Sequence, residues 1–152
     1  MHPPGTQIIT ALGLAIYATF ANAADIQVKM LDISKTEGLV AFEPTFIKAN
    51  VNDTIVFVSA NPGHNSHSLF VPDGAQDWQS RFDKDFQVTL DKEGVYIYAC
   101  DAHKDMGMIG VVQVGKAVNL EAAKIKAAEI SAKLEMHEDR LIKALSKVQP
   151  AD

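Results

Sequence analysis

The stretch GVYIYACDAHKDMGMIGVVQVG, residues 94–115, decides how this chain folds. In an extended backbone, side chains alternate, so Val95, Ile97 and Ala99 share one face and Tyr96, Tyr98 and Cys100 the other. The closing IGVVQVG is apolar and β-branched enough for a second strand. Between them lies CDAHKDMGM, which holds the only cysteine of the chain, a histidine three residues later and two methionines beyond it. A loop joining two adjacent strands can bend a thiol, an imidazole and a thioether toward one point.

Outward from this stretch, further strand signals run back to residue 24. DIQVKML alternates through Ile26, Val28 and Met30, FIKANVND is followed by the β-branched TIVFVSA, and FQVTL alternates through Phe86, Val88 and Leu90. Turn signals separate them at Asn52-Asp53, Asn61-Pro62-Gly63, Pro72-Asp73-Gly74 and Lys92-Glu93-Gly94. Short strands punctuated in this way predict a mainly β fold with two sheets sharing one core.

The composition changes after residue 118. Residues 119–148 contain no glycine or proline and are rich in Ala, Leu, Lys and Glu. Asn119 is placed to cap a helix, and Glu121 suits the positive end of its dipole. Leu120, Ala123, Ile125, Ala127, Ile130 and Leu134 mark one apolar face, and Met136, Leu141, Ile142, Leu145 and Val148 another. A single helix of this length would span about 42 Å and overhang a small sandwich, which favours two helices folded back on the β-domain with a break near residues 131–135.

The chain has 152 residues, 47% of them hydrophobic and 22% charged, which suits one domain with a core plus an appendage. A net charge of −5 lacks the basic footprint of a nucleic-acid binder. The apolar run 8–20 ends in Ala21-Asn22-Ala23, a small-residue cleavage pattern, although no Lys or Arg precedes it. Residues 1–23 are therefore expected to be an export signal, with the mature chain starting at Ala24 and carrying no membrane span. Residues 24–118 form the β-domain, and residues 119–152 a helical extension packed on it.

Export sharpens the question of the cysteine. A lone Cys100 has no internal disulfide partner. Either it is a buried, inert small hydrophobe, or it is a thiolate protected by a metal. Thiolate and thioether are soft donors that favour copper, and imidazole suits copper too. Cys100, His103 and either Met106 or Met108 supply part of a site, and a second imidazole must come from His64 or His67 in GHNSHSLF. Two imidazoles, a thiolate and a distant thioether compose an electron-transfer copper site.

The pattern G-x-Y-x-Y-x-C-x-x-H-x-x-x-x-M in residues 94–108 resembles the cysteine loop of the cupredoxins. FEP, NDTIVF, GHN and VPDGA are similar to the corresponding pieces of the pseudoazurin branch of that family, over roughly residues 24–115. The resemblance implies a Greek-key β-sandwich with two C-terminal helices and one type 1 copper held by His64, Cys100, His103 and Met108. It implies that His67 is a surface residue, that Met106 lines an apolar patch with Pro62 and Met30 around the exposed edge of His103, and that Asn65 orients the ligand loop. His2 and His137 are read as unrelated to metal. The implied function is periplasmic electron transfer, with a denitrification reductase, most often nitrite reductase, as partner of a monomeric carrier. Lys29, Lys35, Lys48 and Lys104 are the candidates for a basic docking ring, with Asp32, Asp101 and Asp105 near the same end.

One rival is a storage or transport module binding zinc or copper through His64, His67, Cys100 and His103. Another is a small copper enzyme. A closed four-ligand site argues against the enzyme, and no nucleophile-elbow, zincin or P-loop motif is present.

Overall fold

The computed structural model describes residues 23–151. The apolar run of the expected export signal lies outside the described residues. Eight strands come first: β1 (Asp25–Ser34), β2 (Gly38–Glu43), β3 (Phe46–Ala49), β4 (Thr54–Ser59), β5 (His67–Phe70), β6 (Phe86–Thr89), β7 (Gly94–Ala99) and β8 (Ile109–Val114). Two helices follow, α1 (Leu120–Ser131) and α2 (Arg140–Leu145). The strands form two sheets, ordered β2-β1-β4-β6 and β3-β8-β7-β5. The β1–β4 and β3–β8 pairs are parallel, and the remaining neighbours antiparallel. This is the expected Greek-key sandwich with two C-terminal helices.

Strands β2 and β5 were not marked by sequence pattern. Residues 40–42 of β2 are buried in succession rather than alternately, and Val40 has a φ of 37°, so no period of two is legible there. The expected FIKANVND strand stops at Ala49, because Asp53 folds back and its carboxylate accepts the Asn50 N–H at 2.7 Å.

Every residue of β7 and β8 is buried. Tyr96, Tyr98 and Cys100 point between the sheets, as the alternation predicts, with Met108 and Val112 in the same cluster. Val95, Ile97 and Ala99 point the other way, onto Ala123, Ala127, Leu141, Ala144 and Leu145 of the helices. The helices thus convert a half-wet sheet into one buried on both faces, which is why this segment reads as nearly continuous apolar sequence.

Small residues let α1 approach the sheet: Ala123 and Ala127, four apart on one face, are its buried positions. Ile125 lies two residues out of phase and is 66% exposed, so it does not belong to the apolar face assigned to it. Ile142 is likewise exposed. The chain does form two helices, with a break at residues 132–139 that includes His137 at a φ of 50°. Asn119 precedes α1 without capping it. Its amide instead pairs with β7, accepting the Val95 N–H at 2.6 Å and donating to the Val95 carbonyl at 3.0 Å.

In α2, Arg140 is only 6% exposed. Its guanidinium donates to the carbonyls of Glu37, Leu39, Val40 and Gly107. Arginine has donors and no acceptors, so a ring of carbonyls suits its burial.

The Tyr98 ring stands edge-on to Phe42 and Phe57, with centroids 4.8 and 5.0 Å away. Its hydroxyl is buried with no protein partner among the described residues. Burial also raises its pKa, so the hydroxyl stays neutral. Tyr98→Phe removes this unsatisfied group and is expected to leave stability unchanged or raise it by about 1 kcal/mol. Urea unfolding checks this, and a loss of stability would reveal a partner for the hydroxyl.

Candidate metal centre

The site lies where β7 leaves the core and β8 re-enters it. The Cys100 N–H donates to the Met108 carbonyl at 3.0 Å and closes the connection. Inside it the chain coils tightly. His103 N–H donates to Cys100, and Met106 and Met108 N–H both donate to His103, at 3.1–3.2 Å. Gly107 completes the coil at a φ of 76°, a left-handed value that a side chain resists. This loop brings Cys100, His103 and Met108 to one end of the sandwich.

His64 reaches the same end from the turn between β4 and β5. That turn is pinned by Asp83, whose carboxylate accepts the Gly63 N–H and whose own N–H donates to the His64 carbonyl at 3.0 Å. Asn65 ties it to the cysteine loop. Its carbonyl oxygen accepts the Asp101 N–H at 2.8 Å, and its amide nitrogen donates to the Asp101 carboxylate at 2.7 Å. The orienting role expected for Asn65 thus has a definite geometry.

The Cys100 Sγ lies 3.6 Å from His103 Nδ1 and 3.9 Å from His64 Nδ1. All three donor atoms fall within 4.8 Å of one another. An ion with bonds of about 2.0 Å to nitrogen and 2.3 Å to sulfur in a trigonal plane would separate each nitrogen from the sulfur by about 3.7 Å. The two sulfur–nitrogen distances therefore fit a first-row metal. His64, Cys100 and Met108 are fully buried, while His103 is half-buried.

His64 is held in the tautomer a metal needs. Its Nε2 lies 2.9 Å from the Asp32 carboxylate, at the end of β1. A carboxylate only accepts, so Nε2 carries the hydrogen and Nδ1 presents its lone pair toward Cys100. His103 is made a neutral donor differently: burial first, then the nearby His64 ring, hold its pKa below the ordinary imidazole value. Asp32→Ala removes the brace on His64 and is expected to weaken copper binding about 10–100-fold, with Asp32→Asn losing less. Competition against a chelator of known affinity measures it; unchanged affinity in both variants would show that Asp32 is idle.

His67 is not in the converging group. It lies on β5, half-exposed, with Nδ1 2.8 Å from the Asp101 carboxylate, so the His64, His67, Cys100, His103 set of the zinc-type rival is not assembled. Burial pushes Asp101 up, but hydrogen bonds from Gln79, His67 and Asn65 outweigh it and hold its carboxyl below the usual range. Asp101 is thus bound up in the loop's support and is not a free docking charge.

Two surface assignments change. Met30 is fully buried in the core and cannot line a patch around His103, which leaves Met106 and the exposed Pro62 of the expected set. Lys48 pairs across β3–β8 with Gln113, at the far end of the sheet, and its ammonium meets the Gln149 side chain. It does not belong to a ring about the site. Asp32 and Arg140 were missed as supports because nothing in their local sequence marks them; only the fold brings them beside the loops.

A β-sandwich whose buried thiol and imidazoles converge at one end defines a copper-binding class. Residues 28–115 match the family of copper binding proteins of the plastocyanin/azurin type. The chain is 40% identical over 117 residues to a pseudoazurin of Methylorubrum extorquens, covering 74% of this chain and 78% of that one. It is 36% identical over 117 residues to a pseudoazurin of Paracoccus pantotrophus, covering 75% and 80%. The crystal structure of native pseudoazurin from Hyphomicrobium denitrificans superposes with a TM-score of 0.73 at 31% identity, covering 82% of this chain and 98% of that one. The chain belongs to the cupredoxin family of copper electron carriers, in its pseudoazurin branch. His64, Cys100, His103 and Met108 stand in position for one type 1 copper.

Proposed function

We propose that this chain is a periplasmic blue copper electron carrier that binds copper through His64, Cys100, His103 and Met108 and passes single electrons to a denitrification nitrite reductase. The observation that carries the reading is the asymmetry of burial: two donors of the converging triad are fully buried, and the third, His103, reaches the surface. Held by these residues, copper would supply one-electron chemistry through its Cu(I) and Cu(II) states.

The chain's own residues set the conditions for that exchange. Asp32 fixes the tautomer of His64, and Asn65 with Asp101 locks the two loops together, so donor positions change little between oxidation states. Full burial keeps water from the soft donors Cys100 and Met108. His103, with the half-buried Met106 and the exposed Pro62 on the two ligand loops, presents an apolar contact area to a partner. Redox encounters are small, below about 1,200 Å² of buried surface, and separate quickly. Lys104 on the ligand loop is exposed and available to an acidic partner.

Periplasmic location rests on the export signal read in residues 1–23. No helix among the described residues is long and apolar enough to cross a membrane. In this reading residues 24–118 form the copper domain, residues 119–152 an extension of the same body, and the carrier is monomeric. The test mixes the reduced, copper-loaded chain with a copper nitrite reductase and nitrite in a stopped-flow cell. Colour returning as the carrier is oxidised supports the reading. Loaded chain that exchanges electrons with small reagents but with no reductase would assign it to copper storage or to another partner.

A further inference from the structure

The helical extension does more than cover the outer face of β7 and β8. Its elbow, residues 132–139, lies directly on the ligand loop. The Glu135 N–H donates to the Asp105 carbonyl at 2.7 Å. Gly107 is packed so closely under the elbow that a Cβ there would come within 2.8 Å of the Met136 carbonyl oxygen and 3.0 Å of the His137 Cβ. Just beyond, the buried Arg140 donates to the Gly107 carbonyl and to the carbonyls of Glu37, Leu39 and Val40. One guanidinium thus joins the ligand loop to the β1–β2 turn and the start of β2, and its bond to Gly107 falls on the peptide that leads into Met108.

We infer that Arg140, with the elbow it anchors, is a positioning residue for the copper site, holding the loop from outside so that Met108 and His103 keep their places relative to Cys100. This rests on the copper reading above. The reasoning is geometric. Within the loop, the Met108 N–H bonds to the His103 carbonyl, so the two donors move as one coil. Hydrogen bonds from the rest of the sandwich reach that loop at its ends, through Asp101, which Asn65, His67 and Gln79 hold, and through Cys100 and β8. The contacts that reach its outer turn, at Asp105 and Gly107, come from the extension. A weak, distant thioether is the donor whose position has least support from the metal itself, so it depends most on the scaffold. The extension thereby sets a property of the metal, its potential, from a segment that contributes no ligand.

The test uses the full copper-loaded chain with Arg140→Met, Arg140→Lys and Glu135→Pro, the last removing the N–H that bonds Asp105 while also fixing φ at that position. Reduction potential, the visible copper–thiolate spectrum and amide exchange across residues 103–108 are measured beside wild type. The expected result is a potential and band shape displaced from wild type, about tenfold weaker copper binding in Arg140→Met, faster exchange of the loop amides, and partial recovery in Arg140→Lys. If Arg140→Met does not fold, Arg140→Lys and Glu135→Pro carry the same readouts. Variants that lose thermal stability yet keep the wild-type potential and spectrum would overturn the inference and leave Arg140 a purely structural tie. Wild type serves as the control for the site itself: if wild type shows no copper–thiolate band, the copper reading fails rather than the clamp.

Discussion

Cys100→Ser yields a chain that folds but no longer shows an intense visible band with Cu(II), and its electron exchange with redox reagents is abolished. The band of a blue copper site arises from the thiolate, and an alkoxyl oxygen supplies neither its soft donation nor its low-energy electrons. Fold should survive, because Cys100 Sγ makes only long contacts to His64, His103 and the Gly63 carbonyl, at 3.6–4.0 Å, and serine is nearly isosteric. The loss of affinity should exceed the about 10–100-fold that removing a supporting residue costs. Absorption and circular dichroism of the same sample separate the two effects. A variant that stays coloured would place the copper elsewhere; one that unfolds would make Cys100 a core residue first.

Gly110→Ala is the largest expected blow to stability. The added Cβ would lie 2.3 Å from Tyr98 Cζ, 2.4 Å from its hydroxyl oxygen and 2.7 Å from Cε2. Tyr98 cannot step aside, since Phe42 and Phe57 stand edge-on against its ring and both are fully buried. Overpacking of this kind costs about 3 kcal/mol. Pairing Gly110→Ala with Tyr98→Leu should recover part of that loss, a coupling that a double-mutant cycle in urea reads directly. Additive losses in the cycle would mean that the backbone at Gly110, and not the ring, sets the limit.

The residues that bind and those that support were not equally legible in the sequence. Cys100, His103 and Met108 sit within one short connection, so their convergence followed from the alternation of GVYIYAC and the brevity of the loop. His64 against His67 was open on chemistry alone, and the family resemblance settled what spacing could not. The structure shows why: the two imidazoles leave the same turn, but His64 points into the core while His67, on β5, faces Asp101. Supports stayed hidden for a common reason. Asp32 lies 32 residues from His64, and Arg140 lies 33 from Gly107. Each contact exists only after two elements distant in sequence have packed. The break between α1 and α2 carries no glycine or proline to announce it, and β2 lacks the alternation by which strands are recognised. Lys48 was misplaced because charge says nothing about which end of a sheet a residue occupies.

The most direct test of the account is titration of the apoprotein with Cu(II), followed by absorption and electron paramagnetic resonance. The prediction is an intense visible band that saturates at one copper per chain, with the narrow copper hyperfine pattern of a thiolate-bound site, both lost together on reduction. Pale or colourless binding, or saturation at a different stoichiometry with Cys100 still free to react with a thiol reagent, would contradict the claim that His64, Cys100, His103 and Met108 meet at a single redox copper.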